Sequence, residues 1–198
     1  MKTQTFMLTI AVLSFLAAVA ASAPTAETMK VCDHLHEKYP RYMAYDTLGT
    51  DALETALNAS VYTQINADYW NNQNSYQFRA ACAFFPANAE QVSDAVKLLN
   101  DYPSVPFGLK SAGHQPAPGF SSVKDGVLIA FEPNLGKTVT ERTPDGKHFI
   151  LGPGARWGDV YKLTGETNEI VVGGRLAHIG VGGLTLGGGL SYYSAQYV

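Results

Sequence analysis

The sequence predicts an α+β fold, and three observations carry that prediction. Short apolar runs bounded by Gly and Pro outnumber helical patterns after residue 80. One strongly amphipathic helix pattern sits between two of those runs. Glycine usage also divides the chain: of 19 glycines only Gly49 precedes residue 100. The glycine-poor first half reads as helix and loop, the glycine-rich second half as short strands joined by tight turns. No internal period marks a repeat architecture.

"ETMKVCDHLHEKY" (27–39) predicts a short helix that ends near Pro40. "SVYTQINADYWNNQNSYQF" (60–78) is rich in Tyr and Asn and reads as a segment that wraps over a core without being one. Residues 24–77 are accordingly expected to form an N-terminal arm. "CAFF" (82–85) is a strand stopped by Pro86. Asn88 then offers an N-cap, with Gln91 as its capping-box partner. Val92, Ala95, Val96 and Leu99 recur at helical spacing, so 89–100 is an amphipathic helix. "VPFGL" (105–109) is the next strand and completes a βαβ unit. "GVLIAF" (126–131), "HFILG" (148–152) and "EIVVGG" (169–174) read as further strands. "PDG" (144–146) reads as a hairpin turn and "WGDVYKLT" (157–164) as a short helix.

A chain of 198 residues with 46% hydrophobic content can bury one domain or a small two-layer assembly. The net charge is −3, and the 14 Lys and Arg form no dense basic block, which disfavours a nucleic-acid partner. Lys2, the apolar run from Phe6 to Ala20 and the small residues after it predict a signal peptide over 1–20, with cleavage as late as residue 23. A membrane anchor is the alternative, although the run is short for a span. Secretion is the expectation, with no membrane partner. Two cysteines, Cys32 and Cys82, suit that route. A bridge between them would be worth about 4 kcal/mol in the chain-entropy model; two buried thiols are the alternative. Asn58-Ala59-Ser60 is a glycosylation sequon.

Two loops could carry chemistry. "KSAGHQPAPG" (110–119) follows a strand, and Ser111, Ala112 and Gly113 leave their backbone N–H groups open to an anionic group such as a phosphate. A solvated Pro/Gly surface loop is the other reading. "GGRLAHIGVGGLTLGGGLS" (173–191) holds eight glycines in nineteen residues. Ile179, Val181, Leu184, Leu186 and Leu190 are interleaved and expected to be buried, so a binding loop is favoured over a tether. Familiar templates fail: Thr185 replaces the third glycine of G-x-G-x-x-G, Gly188 stands where a P-loop has lysine, and G-x-S-x-G is absent. Asp33, His34 and His36 read as a solvated surface patch, and no metal site is expected.

Together "CAFFPANAEQVSDAVKLLN", "VPFGLKSAGHQPAPGFSSVKDGVLIAF", "LGPGARWGDVYKL" and "VVGGRLAHIGVGGLTLGGGLSYYS", in that order, resemble the FAD-binding domain of the vanillyl-alcohol oxidase class, in its fungal berberine-bridge-enzyme-like branch. The resemblance covers about 60–198. It implies a two-subdomain PCMH-type FAD-binding domain over 78–198, incomplete at its C-terminal end. It implies FAD as cofactor, a small organic substrate, and O₂ as acceptor. The family's backbone donors map onto Ser111, Ala112, Gly113, His114 and Gln115, with a second set at Gly174, Gly180, Gly182 and Gly183. His114 occupies the position that is covalently bonded to flavin in many members. Leu176 stands where doubly linked members carry cysteine, which leaves at most one link. Ala112 replaces a family glycine, which costs energy only if that position needs positive φ. No catalytic base can be assigned, since the family places it beyond the matched region. The rival expectations are an inactive, truncated FAD-binding remnant and a secreted binding protein.

Overall fold

The computed structural model describes residues 23–46, 59–136 and 139–197. The expected signal segment 1–20 and the sequon residue Asn58 lie outside the described residues.

Helix α1 (Ala26–Lys38) begins at Thr25, whose hydroxyl accepts from the Thr28 amide at 3.1 Å. Val31, Cys32 and Leu35 recur on one side of it and are buried. A single turn containing Pro40 ends the helix, and the chain enters β1 (Met43–Tyr45). Helices α2 (Ala59–Ala67) and α3 (Asn72–Gln77) precede β2 (Cys82–Phe84). Then follow α4 (Ala89–Asp101), β3 (Phe107–Lys110) and β4 (Val127–Ala130).

These four strands form one sheet in the order β1-β2-β4-β3. β2, β4 and β3 run parallel, and β1 lies antiparallel on the edge. All of Val127-Leu128-Ile129-Ala130 is buried because helices cover both faces of the sheet. On one face Val31 and Leu35 of α1 and Ala95 and Leu99 of α4 pack with Cys82, Phe84, Val127 and Ile129. On the other, Tyr62 and Ile65 of α2 pack with Ala83, Leu128 and Ala130. Within the stretch 60–78, α2 therefore belongs to the core, while Trp70 and Tyr76 further along are exposed. Tyr62 is buried, and its hydroxyl donates to the Ala80 carbonyl at 2.7 Å. Its Asn and Gln residues, which mask the apolar pattern, serve local turns: the Asn71 side chain accepts from the Gln73 amide at 3.0 Å.

Cys32 and Cys82 are disulfide-bonded and tie α1 to β2. At the start of α4 the Asn88 side chain accepts from the Gln91 amide at 2.9 Å. Gln91 reaches back to the Ala87 amide at 2.7 Å, one residue earlier than a capping box requires. Val96 is exposed, contrary to expectation, and Leu98 packs on the core in its place.

The second subdomain contains α5 (Glu132–Leu135), the hairpin β5 (Val139–Arg142) and β6 (Phe149–Leu151), α6 (Trp157–Glu166), α7 (Val181–Gly187) and α8 (Ser194–Tyr197). Pro144-Asp145-Gly146 makes the hairpin turn as predicted, with Gly146 at φ +68°. Ala155, Trp157, Val160 and Val181 form a small separate core. Two expectations fail here. Residues 169–174 form no strand: the Glu169 amide turns back to the Thr164 carbonyl at 2.9 Å, and no described strand pairs with the segment. Leu186 and Leu190 are 91% and 64% exposed. Leu186 lies about 200° around α7 from Leu184, so when Leu184 packs inward Leu186 points away. Among the described residues no helix is long and apolar enough to cross a membrane.

Candidate functional site

The loop 111–119 leaves the C-terminal end of β3, where the parallel sheet opens. The Phe131 amide donates to the Lys110 carbonyl at 2.9 Å and fixes the point of departure. Gly113 has φ +69°, and a Cβ there would lie 2.7 Å from the Asp68 carbonyl oxygen and 2.8 Å from Lys110 Cε. Only glycine fits. The Trp70 amide donates to the Gly113 carbonyl at 3.0 Å and holds the turn. Ala112 is not among the residues with positive φ, so alanine causes no backbone strain there. The left-handed position of the loop is Gly113, and the sequence keeps it.

The second loop closes on the first. A Cβ on Gly180 would lie 2.3 Å from Ser111 Oγ and 2.7 Å from the Ala112 nitrogen. Ser111 Oγ in turn donates to the Pro153 carbonyl at 2.6 Å. The segment 176–181 is laced to 155–158: the Trp157 amide donates to the Ile179 carbonyl at 3.0 Å and the Val181 amide to the Ala155 carbonyl at 2.8 Å. Gly182 lies against the Pro153 carbonyl, while Gly183 faces open space. Gly174 has a packing reason to be glycine, because a side chain there would strike the Trp157 indole. Its carbonyl accepts from Tyr161 Oη at 2.7 Å.

His114 lies in a ring cluster. Its imidazole is 4.6 Å from the Trp70 ring and 4.9 Å from that of His178, and the rings of Trp70 and His178 stack at 5.6 Å. Partial burial, then His178, then the Arg156 charge hold the His114 imidazole below its ordinary pKa. Its neutral form therefore dominates at neutral pH. Arg156 joins the parts of the site: Nε donates to Glu132 at 2.7 Å, Nη1 to the His178 carbonyl at 2.9 Å, and Nη2 to Asp68. Sequence reasoning missed Trp70, Arg156 and His178. His178 had a local signal, two residues before Gly180 in the glycine-rich loop. Trp70 and Arg156 had none, since only the fold brings them here.

Among the described residues, the backbone N–H groups of Ser111, Ala112, Gly113, His114 and Gln115 donate to no protein acceptor. Ala112 and Gly113 are nevertheless buried residues. Backbone donors in such a place are ordinarily paired, so this row of free amides fits an anionic ligand laid on the loop.

Two glycine-built loops closing at the open end of a parallel sheet, with a row of free amides between them, define a nucleotide-cofactor-binding domain. Residues 80–198 match the family described as FAD binding domain, and the chain belongs to that family. FAD is its cofactor. The chain is 39% identical over 140 residues to an FAD-linked oxidoreductase of Arthroderma benhamiae, covering 71% of this chain and 27% of that protein. It is 34% identical over 140 residues to the FAD-dependent monooxygenase prx3 of Penicillium roqueforti, covering 70% and 26%. The chain thus spans about a quarter of the length of these curated relatives. Among solved structures it resembles the wild-type berberine-bridge-enzyme-like protein 1 of Physcomitrella patens (TM-score 0.65, 22% identity, 84% of this chain and 32% of that one). It also resembles a berberine bridge enzyme variant in complex with (S)-reticuline (TM-score 0.66, 17% identity, 89% and 33%). The fold is that of the FAD-binding part of these flavoproteins, as the sequence predicted.

Proposed function

We propose that this chain forms the flavin seat of an FAD-dependent oxidoreductase acting on a small organic substrate. Ser111, Ala112, Gly113, His114 and Gln115 hold the diphosphate through their N–H groups. Gly180, Gly182 and Gly183 let the second loop come close, and Gly174 seats that loop on Trp157. FAD, when bound, supplies a two-electron acceptor for oxidation of the substrate and passes the electrons to O₂. His114 offers a neutral imidazole nitrogen beside the amide row, and we assign it the single covalent attachment to the cofactor. The observation that carries this reading is the row of amides with no protein acceptor. We also propose secretion, with residues 1–20 removed and Asn58 glycosylated. The Cys32–Cys82 bond supports an oxidising compartment.

One expression experiment tests these points. The full chain, produced in a secreting fungal host, is expected in the medium, with a mobility shift on deglycosylation that Asn58→Gln abolishes. Purified protein is expected to be yellow with one flavin per chain. After acid precipitation the pellet should stay yellow in wild type and lose its colour in His114→Ala. Protein free of flavin even after incubation with FAD would sink the cofactor seat. A colourless wild-type pellet from yellow protein would remove only the covalent assignment.

A further inference from the structure

We infer that Lys110 is a buried cationic floor beneath the diphosphate seat, left unpaired by the protein and placed to answer the ligand's negative charge. The inference rests on the FAD reading above and goes beyond its backbone donors. Lys110 is the last residue of β3, and strand alternation turns it inward with Gly108. Its side chain is fully buried at 0% exposure, and Nζ has no hydrogen-bond partner among the described residues. Buried ammonium groups are ordinarily paired, so an unpaired one requires an explanation.

The stem of Lys110 runs directly under the turn of the amide row, as the clash of its Cε with a Cβ on Gly113 shows. Four groups face it from three elements. Tyr69, in the segment after α2, presents its ring face 4.8 Å from Nζ. Asp68 beside it, Glu132 of α5 and Arg156 before α6 all act on Lys110 electrostatically. Both carboxylates are already bonded to Arg156. With Lys110 protonated the charges of this cluster balance, but Arg156 takes the hydrogen bonds of both carboxylates and leaves Lys110 Nζ without one. Lys110 lies below a row of backbone donors that has no protein acceptor among the described residues.

Burial pushes the Lys110 ammonium down to about 8, with Asp68 and Glu132 acting against the shift and Arg156 reinforcing it. A bound diphosphate favours the charged form and raises that value. FAD affinity should therefore be highest below pH 8 and fall as pH rises through the free-state value, by up to about tenfold per unit. Binding near pH 8 should take up a proton.

The test is FAD titration by calorimetry of the full chain, from pH 7 to pH 9, in two buffers of different ionisation enthalpy. Non-covalent binding is isolated in a His114→Ala background, with and without Lys110→Met. The expected results are proton uptake near pH 8, affinity that weakens toward pH 9, and roughly ten- to a hundredfold weaker, pH-independent binding in Lys110→Met. The melting temperature of the FAD-free Lys110→Met protein should be unchanged or higher, since the variant removes a buried unpaired charge. Two results would overturn the inference while leaving the FAD seat intact. One is tight FAD binding with no proton uptake and no effect of Lys110→Met. The other is a variant that melts earlier without FAD yet keeps the wild-type pH profile, which is the signature of a structural lysine. Failure of the parent protein to bind FAD at all would overturn both readings.

Discussion

Gly180→Ala is expected to lower FAD affinity by at least about a hundredfold and stability by roughly 1–3 kcal/mol, the range for overpacking a tight contact. The new Cβ would sit 2.3 Å from Ser111 Oγ and 2.7 Å from the Ala112 nitrogen. The hydroxyl cannot swing aside without losing its 2.6 Å bond to the Pro153 carbonyl. The Ala112 amide cannot move without displacing the row of donors. The substitution therefore pushes the two loops apart at their point of contact. Gly165→Ala is the matched control: it lies in α6, and a Cβ there meets nothing within 4 Å. It is expected to stabilise the protein by roughly 0.5–1 kcal/mol and to leave FAD affinity unchanged. Urea unfolding and FAD titration of the two variants check both halves. Equal FAD affinity in Gly180→Ala and wild type would show that loop contact is irrelevant to the seat.

Removing the disulfide is expected to have the largest effect on stability. Cys32 and Cys82 are both fully buried and 50 residues apart in sequence. The chain-entropy model gives about 4 kcal/mol for a loop of this size. That is a large share of the roughly 5–15 kcal/mol that separates most folded domains from the unfolded chain. The bond joins α1 to β2, so its loss frees the helix that carries Val31 and Leu35 into the core. The variant Cys32→Ala/Cys82→Ala should unfold at a much lower urea concentration. A loss below about 1 kcal/mol would mean that the packing of α1 alone holds the helix in place.

Much of the fold was legible because periodicity and punctuation agreed. The helix expected at 89–100 had a cap and an apolar stripe and is observed as Ala89–Asp101, and β4 was an unbroken apolar run. The misses have specific causes. β1 is three residues long and belongs to the sheet only through its pairing with β2, which no local pattern announces. Residues 169–174 carry strand-forming residues, but Gly173 and Gly174 are shaped by the Trp157 indole instead of by a neighbouring strand. Leu186 and Leu190 were expected inside because glycine-rich loops with interleaved leucines pack closely; the inward side of the seven-residue α7 is taken by Leu184, and Leu190 lies beyond its end. In the site, the glycines were visible because their density has a cost that needs a reason. Lys110, Trp70 and Arg156 were not visible, because a single lysine at a strand end, an aromatic residue in a polar arm and an arginine between glycines are each ordinary until the chain folds.

If the two loops together seat FAD, hydrogen exchange of the backbone amides with and without saturating FAD will show it. Slowed exchange is expected in peptides covering 110–118 and 173–188, with the hairpin at 139–151 and helix α1 unchanged. Saturating FAD that leaves the amides of Ser111 to Gln115 exchanging at their free rate would contradict it.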